Sequence, residues 1–558
     1  MHSSAANSGY TFHDDFSTIP LVVSVVGHRD PIPGVEKRVC LLFEQDLKSL
    51  LAHLPSTPIY MLNGLAAGLD SDAAEVFLKV IKDEATNNAS MAEHKLIAAL
   101  PKGRDLYRFD FHGIYERQRF DFLLSQCDEL LEPTDYLPAG LIEQKQSSLK
   151  SPECYEQQSL FVVRNCYLLF AFNNGETTLI PGGTSHSVSI QRNEVHPRFS
   201  SIDEVITVHE PGALIEYNTP RQSSHGDMSL RTRMDRTYWL DSELKPSIEG
   251  IMPTPIKLDQ INRHKVCSSS SEKQFNATDD NAGLWKYIDS QANTYKNRYR
   301  SKIIILLLIG LLISLTLARP GWQVIGLISI VYALFYFPGI QGRQRQDFIA
   351  FRCLSESILV QELWAFFGIR RNVADLFRSQ RHLGLSWTRT FLRSIFIQLK
   401  IKGDPSELTI EQRIEIIEAW MESQINWLDS KIIIQRRAEN KVLVAIFIVC
   451  IVGSISSLAM AIYMIDAIDW ITELMMALIV IFIAFRELMG FQEINSRYAR
   501  SSEQLKRGLA SFRLVINSAS SSTDALPRLR CALEAVGFEK VDELNDWVSD
   551  QLKRSYRP

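Results

Sequence analysis

The sequence predicts an N-terminal α/β domain built on a parallel sheet, joined to an all-α membrane region with four transmembrane helices. Three observations predict it. Apolar strand-like runs alternate with helical patterns from residue 20 to about 215. Four long apolar stretches lie beyond residue 300. Basic residues gather at the outer ends of those stretches, while the two short links between them carry one Arg and two Asp.

The strand-like runs are Leu21 to Val26, Ile59 to Leu62, Lys95 to Leu100, Asn165 to Phe172 and Glu204 to His209. Helical periodicity fills the gaps, as at Val35 to Leu54 and Ser71 to Lys82. In a parallel, helix-covered sheet the ligand sits at the carboxyl ends of the strands. Those ends carry the chemistry here. The first strand runs into Gly27, His28, Arg29 and Asp30. The second runs into Asn63, Gly64, Leu65, Ala66, Ala67, Gly68, Leu69 and Asp70, then a helix. The third meets Pro101, Lys102, Gly103 and Arg104, and the fourth is followed by Pro181, Gly182, Gly183, Thr184 and Ser185. Glycines let backbone approach a phosphate, and a helix N-terminus offers unpaired N–H groups. Each loop alone is more often just a turn; four in register after four strands are much stronger evidence of a ligand site. The loops form neither a GxGxxG fingerprint nor a Gly-Lys-Ser/Thr phosphate loop.

The apolar stretches run Ile303 to Ala318, Val324 to Ile340, Val442 to Ile465 and Trp470 to Phe485. A spanning helix needs about 17–25 residues. The third meets this comfortably, and Trp322 and Trp470 extend the shorter ones to the interface. Arg319-Pro320-Gly321 and Asp466 to Asp469 close two hairpins. Lys296, Arg298, Arg300 and Lys302 precede the first span, and Arg343 and Arg345 follow the second. Arg436, Arg437 and Lys441 precede the third, and Arg486, Arg497 and Arg500 follow the fourth. The positive-inside rule then places both termini and the middle segment in the cytoplasm. Within the spans only Glu473 is charged, at an edge, which argues against a dedicated transporter. Ser314, Thr316, Ser454, Ser456 and Ser457 read as pore lining or as helix packing, and the Gly453 to Ser457 spacing favours packing. Glu407 to Arg437 reads as a long amphipathic helix between the hairpins.

The chain has 558 residues and a net charge of −4, which speaks against a bulk nucleic-acid binder. Its eight cysteines, at 40, 127, 154, 166, 267, 353, 450 and 531, show no CxxC or zinc-ligand spacing. Free thiols fit a reducing setting, and no metal is expected. Met1 to Phe16 is polar and lacks a signal-peptide pattern.

GHRD at 27–30, NGLAAGLDSDAAEV at 63–76, ALPKGRDLYRFDF at 99–111, VVRNCYLLFAFNNGE at 162–176 and GGTSHSV at 182–188 together resemble the SLOG superfamily, whose fold is Rossmann-like. WKYIDSQANTYKNRYRSK at 285–302 and ESILVQELWAFFGIRRNVADLF at 356–377 are similar to SLATT-type membrane effector modules. In the enzymatic SLOG branch a PGGxGTxxE motif supplies a catalytic Glu that cleaves a ribose–base bond. Here Pro-Gly-Gly is followed by TSHSVSIQ, and the first acid afterward is Glu194. His186 is the remaining candidate base in that stretch.

The resemblance implies a sensor, not an enzyme: a SLOG domain that binds a nucleotide second messenger and switches an attached membrane effector, as in bacterial antiphage defence. Its implied partners are the nucleotide, the lipid bilayer, further copies of the chain and a nucleotide-synthesising enzyme. It needs no cofactor and no stable nucleic acid. The competing readings are a membrane-anchored N-glycosidic hydrolase and a membrane-tethered DNA-handling protein. The expected ligand-binding residues are Gly27, His28, Arg29, Asn63, Gly64, Ala67, Gly68, Asp70, Pro101, Arg104, Gly182, Gly183, Thr184 and Ser185. The expected organisation is a polar tail (1–19), the SLOG-like domain with a polar extension (20–265) and a flexible linker (266–282). A first hairpin (283–346), a cytoplasmic helical segment (347–440), a second hairpin (441–490) and a cytoplasmic helical C-terminal region (491–558) follow. The expected location is the inner membrane, as a multi-pass protein.

Overall fold

A computed structural model describes residues 18–87, 92–136, 151–175, 180–192, 212–222, 235–270, 284–317, 321–341, 343–377, 386–402, 408–463, 469–518 and 522–553. The chain divides into two compact units. One is α/β and comprises Phe12–Tyr287 and Ser357–Pro405; the other is helical and contains Ile288–Glu356 and Ser406–Pro558.

The α/β unit begins with β1 (Leu21–Gly27), α1 (Val35–His53), β2 (Ile59–Asn63), α2 (Leu69–Asn87) and β3 (Lys95–Ala99). Two helices, α3 (Arg104–Arg108) and α4 (Ile114–Gln126), lead to β4 (Glu129–Leu131) and the single turn α5 (Pro133–Tyr136). Then come α6 (Ser151–Asn165), β5 (Leu168–Asn173), α7 (Thr184–Gln191), β6 (Ala213–Asn218), β7 (Arg236–Leu240), β8 (Glu243–Lys245) and α8 (Pro253–Ser270). The sheet order is β4-β3-β2-β1-β5-β6-β7-β8. The pairs from β4 through β6 are parallel, while β6–β7 and β7–β8 are antiparallel.

The continuous apolar runs of β1, β2 and β5 follow from burial on both sheet faces. On one face Phe43 of α1 meets the rings of Phe170, Phe172 and Tyr217 at centroid distances of 4.9, 5.9 and 6.4 Å. On the other, Val22, Leu62, Ile97, Leu169 and Leu214 pack with Val162 and Val163 of α6.

One expectation needs correction. The sheet is not wholly parallel, because residues 236–245 add a hairpin whose turn residues Asp241 and Ser242 have φ of 55° and 62°. Such a two-residue turn matches the twist of paired strands. The polar extension thus contributes two strands to the sheet. The fifth expected strand, Glu204 to His209, lies outside the described residues, and the strand after α7 is Ala213–Asn218. Helix α8 runs to Ser270, and residues 271–282 of the expected linker lie outside the described residues.

The middle segment is also not one separate module. Residues 357–405 belong to the α/β unit. Their helix, α12 (Ser386–Lys402), buries Trp387, Phe391, Leu392, Ile395, Phe396 and Ile397. Phe396 and Ile397 join the Val22–Leu62–Leu169 cluster. Burying a large apolar side chain is worth about 1.5–3 kcal/mol, so α12 is a structural cover of the sheet.

The helical unit contains most of α9 (Leu284–Leu317), α10 (Gln323–Gln341) and the first part of α11 (Arg343–Phe366). It continues with α13 (Ile410–Tyr463), α14 (Asp469–Met489), α15 (Phe491–Ser518) and α16 (Ser522–Lys553). Helix α13 has 54 residues, so the amphipathic helix and the third apolar stretch are one rod about 80 Å long. Three of the helices are long and apolar enough to cross a membrane: α9, α13, and α14 with its continuation in α15. The second apolar stretch is helical, but its described apolar part, Gln323–Phe335, falls short of that length. Phe335 is 81% exposed and Phe447 67%, so these helices present large apolar side chains on their outer surfaces.

Two of the small polar residues of the spans are satisfied within their own helices. Thr316 donates to the carbonyl of Leu312 at 2.7 Å and Ser454 to that of Cys450 at 2.8 Å. Where α13 meets α14, a Cβ on Gly453 would lie 3.1 Å from Cβ of Met475. Both observations fit packing positions.

Below the apolar stretches the helices are tied by ions. Arg352 pairs with Asp289 at 2.8 Å and with Glu356, and Lys540 reaches Glu356 at 3.5 Å. Arg497 pairs with Glu543 at 3.2 Å, and Arg486 with Glu439 at 3.1 Å. Burial alone would raise the Glu356 pKa, but Arg352, Lys540 and Arg497 hold it down to about 2.

Candidate functional site

Strand order reverses between β1 and β5, because β2, β3 and β4 extend from one side of β1 and β5 and β6 from the other. A crevice opens at such a switch point, beyond the carboxyl ends of the two strands. Gly27, His28 and Arg29 leave β1 there, and Asn173 and Asn174 close β5.

The loop after β2 is folded onto the β1 turn. Leu69 N–H donates to the carbonyl of His28 at 3.3 Å. Gly68 has a φ of 89°, and a Cβ there would sit 2.8 Å from both Arg29 Cα and the His28 carbonyl oxygen. A Cβ on Gly27 would lie 2.7 Å from that of Leu69. These two glycines permit the contact. Asn63 spends its amide on the same loop, accepting from Leu65 N–H at 2.7 Å and donating to the Asp70 carbonyl at 2.9 Å. Asn63 thus shapes the loop. Gly64 faces Gln158, and Ala67 is half-buried in the turn.

His28 is buried, and its Nε2 accepts the Asn174 backbone N–H at 3.2 Å, with the Asn174 side-chain amide at the same distance. Burial first, and then the nearby Arg221, lower its pKa to about 4, so the ring is neutral. Asp30 accepts from Arg221 at 2.7 Å, which closes that flank. Asp70 is half-buried, and its Oδ1 is wholly buried with no hydrogen-bond partner. Burial pushes its pKa up to about 7, against the pull of Arg29.

Arg29 itself is exposed, with its guanidinium 5.6 Å from the centre of the Tyr155 ring and its Nη2 3.3 Å from the Tyr155 hydroxyl. Lys102 lies 5.5 Å from the same ring and pairs with Asp110 at 2.7 Å. The Tyr155 hydroxyl donates to Asp110 at 2.6 Å. The third loop thus joins through Lys102. Arg104, the residue expected there, is exposed and uses its backbone N–H to bond Glu132 at 2.7 Å, while Pro101 is buried at the end of β3.

The fourth loop packs against α6. Gly182 has a φ of 75°, and a Cβ there would collide with Tyr155 backbone at 2.5 Å. Its N–H donates to His186 Nδ1 at 3.1 Å, so that imidazole is engaged in holding the turn. Gly183 caps α7, Thr184 starts it, and Ser185 donates to Asn173 Oδ1 at 3.2 Å.

The two helix N-termini at the crevice differ in charge. The first turn of α2 carries Asp70 and Asp72, whereas that of α7 carries no acid. An anion is therefore better placed at Gly183-Thr184-Ser185 than at Gly68-Leu69. The sequence reading missed Tyr155, Gln158, Asn173 and Asn174. It also missed Glu156, a buried acid whose backbone N lies 2.7 Å from where a Gly182 Cβ would stand. Among the described residues no cluster of His, Cys, Asp and Glu could hold a metal ion. The chain matches no known protein family, no curated protein and no solved structure.

Proposed function

We propose that the chain is a membrane effector whose cytoplasmic α/β domain, of the SLOG type, binds a nucleotide-derived second messenger. Binding triggers membrane permeabilisation or ion flux, as in antiphage defence by abortive infection. The observation that carries the reading is the crevice at the β1–β5 switch point. There the turns of β1, β2 and β5 meet one acid-free helix N-terminus. A phosphate sits on Gly183, Thr184 and Ser185, with Arg29 as its counter-charge, and Asp70 accepts from a sugar hydroxyl. Loops from different strands then share one ligand, which gives the ligand differential contacts with two states.

The effector is a multi-pass protein of the inner membrane, with α10 as a fourth span and both termini in the cytoplasm. It acts as a homo-oligomer, and an enzyme that makes the nucleotide supplies its signal. The Pro-Gly-Gly turn lacks a following Glu, which supports sensing over hydrolysis.

Gly182→Asp is a poor test, because the added side chain would strike Tyr155. Arg29→Ala and Ser185→Asp are better. Mass spectrometry of nucleotides retained by the purified full chain should find one in the wild type and none in either variant. Both variants should also lose membrane depolarisation in cells. Equal retention and equal depolarisation in all three would overturn the reading.

A further inference from the structure

The α/β unit has a second cavity, at the opposite end of the sheet from the crevice. It holds about 210 Å³ and lies beside Tyr167 and Gly212, the residues just before β5 and β6. Its wall includes Ser386, Arg389, Thr390 and Arg393 of α12, together with Thr254 and Asp241.

The charge of this wall runs against what helix stability favours. Cations are favourable at a helix C-terminus and unfavourable at its N-terminus. Helix α12 places Arg389 in its first turn and Arg393 one turn on, and it contains no acid. Like charges four residues apart share a face and repel. Arg389 is only 5% exposed, and its Nε donates to the carbonyl of Ala374 at 3.2 Å, which fixes it in place. Arg393 meets Asp375 at 3.5 Å, and Asp375 is itself well exposed. Thr254 of α8 enters the same wall, but Pro253 and Pro255 leave that helix start with few free N–H groups. Two guanidinium groups, the first turn of α12 and the hydroxyl-bearing residues Ser386 and Thr390 therefore line one cavity. Among its described lining residues Asp241 is the only acid.

We propose that this cavity is a second ligand site, which takes a small phosphate-bearing anion. Guanidinium groups pair with phosphate through two parallel hydrogen bonds, and the start of a helix such as α12 donates backbone N–H groups to it. The bound anion offsets the repulsion between Arg389 and Arg393. It also bridges α12 to the sheet, so occupancy of the cavity sets how firmly α12 is held. The site does not depend on the nucleotide reading of the crevice.

The test is equilibrium dialysis of the full chain, in detergent, against labelled inorganic phosphate at constant ionic strength. The wild type should bind saturably. Arg393→Gln should weaken binding at least ~10-fold, the loss expected for a charged hydrogen bond. Asp241→Asn should tighten it, and asparagine tolerates the positive φ at that position. Arg29→Ala should leave it unchanged, because that residue belongs to the crevice. If Arg393→Gln misfolds, Asp241→Asn still decides the matter. Phosphate binding that Arg29→Ala abolishes, or that Asp241→Asn leaves unchanged or weakens, would overturn the proposal.

Discussion

Gly68 and Arg29 are in backbone contact: a Cβ on Gly68 would stand 2.8 Å from the Cα of Arg29. The φ of 89° at Gly68 is one that other L-residues rarely adopt. Gly68→Ala therefore meets two penalties, a strained backbone and a collision with main chain that cannot rotate away. The expected cost is on the order of 2–3 kcal/mol. Urea unfolding followed by tryptophan fluorescence would measure it. A cost below about 0.5 kcal/mol would mean that the two turns are not in contact.

Asp70 gives the crevice a pH dependence. Its pKa is raised from 3.8 to about 7, by burial first, with Arg29 opposing. The folded state therefore holds this proton more tightly than the unfolded chain. Stability from this group is complete below 3.8 and declines as pH rises through about 7. An anionic nucleotide should likewise bind less tightly at pH 8 than at pH 6. Titration calorimetry at the two pH values, on the wild type and on Asp70→Asn, would show it. The variant should lose the pH dependence, and an unchanged profile would remove Asp70 from the site.

Phe396 ties α12 to the sheet. It is buried in the cluster with Val22, Leu62 and Leu169. Phe396→Ala should cost about 3–5 kcal/mol. A fragment ending at residue 265 would leave the same apolar surface uncovered. Such a fragment should aggregate or bind a hydrophobic dye, and a monomeric, dye-silent fragment would contradict the packing.

What the sequence disclosed depended on how local the signal was. β1, β2 and β5 were legible because a strand buried on both faces must be apolar throughout, as in LVVSVV. β4 has three residues and β8 has three, too few to show a period. Helix α12 was hidden for another reason. An apolar helix face does not name its partner, and this one packs against strands more than 150 residues earlier in the chain. The crevice divides in the same way. Gly27, Gly68, Gly182 and Gly183 stand beside strand ends in the sequence itself. Tyr155 and Gln158 come from the interior of α6, and only the tertiary fold brings them to Arg29 and Gly64.

Arg352 should be the costliest residue to remove from the helical unit. It answers Asp289 and Glu356 together, and its loss leaves Asp289 without that counter-charge and the buried Glu356 with Lys540 alone. Arg352→Met should cost about 3–5 kcal/mol. The acid limb follows from the depressed pKa of Glu356. Its stabilising contribution is complete above 4.5 and is lost as pH falls through about 2. Thermal melts of the detergent-held chain between pH 6 and 3 should show this decline in the wild type and less of it in Glu356→Gln.

Gly453 offers a test of the second hairpin. Its missing side chain lets α13 approach α14, and a Cβ there would lie 3.1 Å from Met475 Cβ. An alanine needs the neighbour to give by a few tenths of an ångström, so Gly453→Ala should be nearly neutral. A leucine cannot be placed without parting the helices, and Gly453→Leu should cost about 1–3 kcal/mol. Shortening the opposite side chain should restore room. Gly453→Leu with Met475→Ala is therefore expected to be more stable than Gly453→Leu alone, a coupling of about 0.5 kcal/mol or more. Melting of the four proteins in one detergent closes the cycle. If the double variant is simply the sum of the singles, the two residues do not face each other, and the hairpin packs in another register.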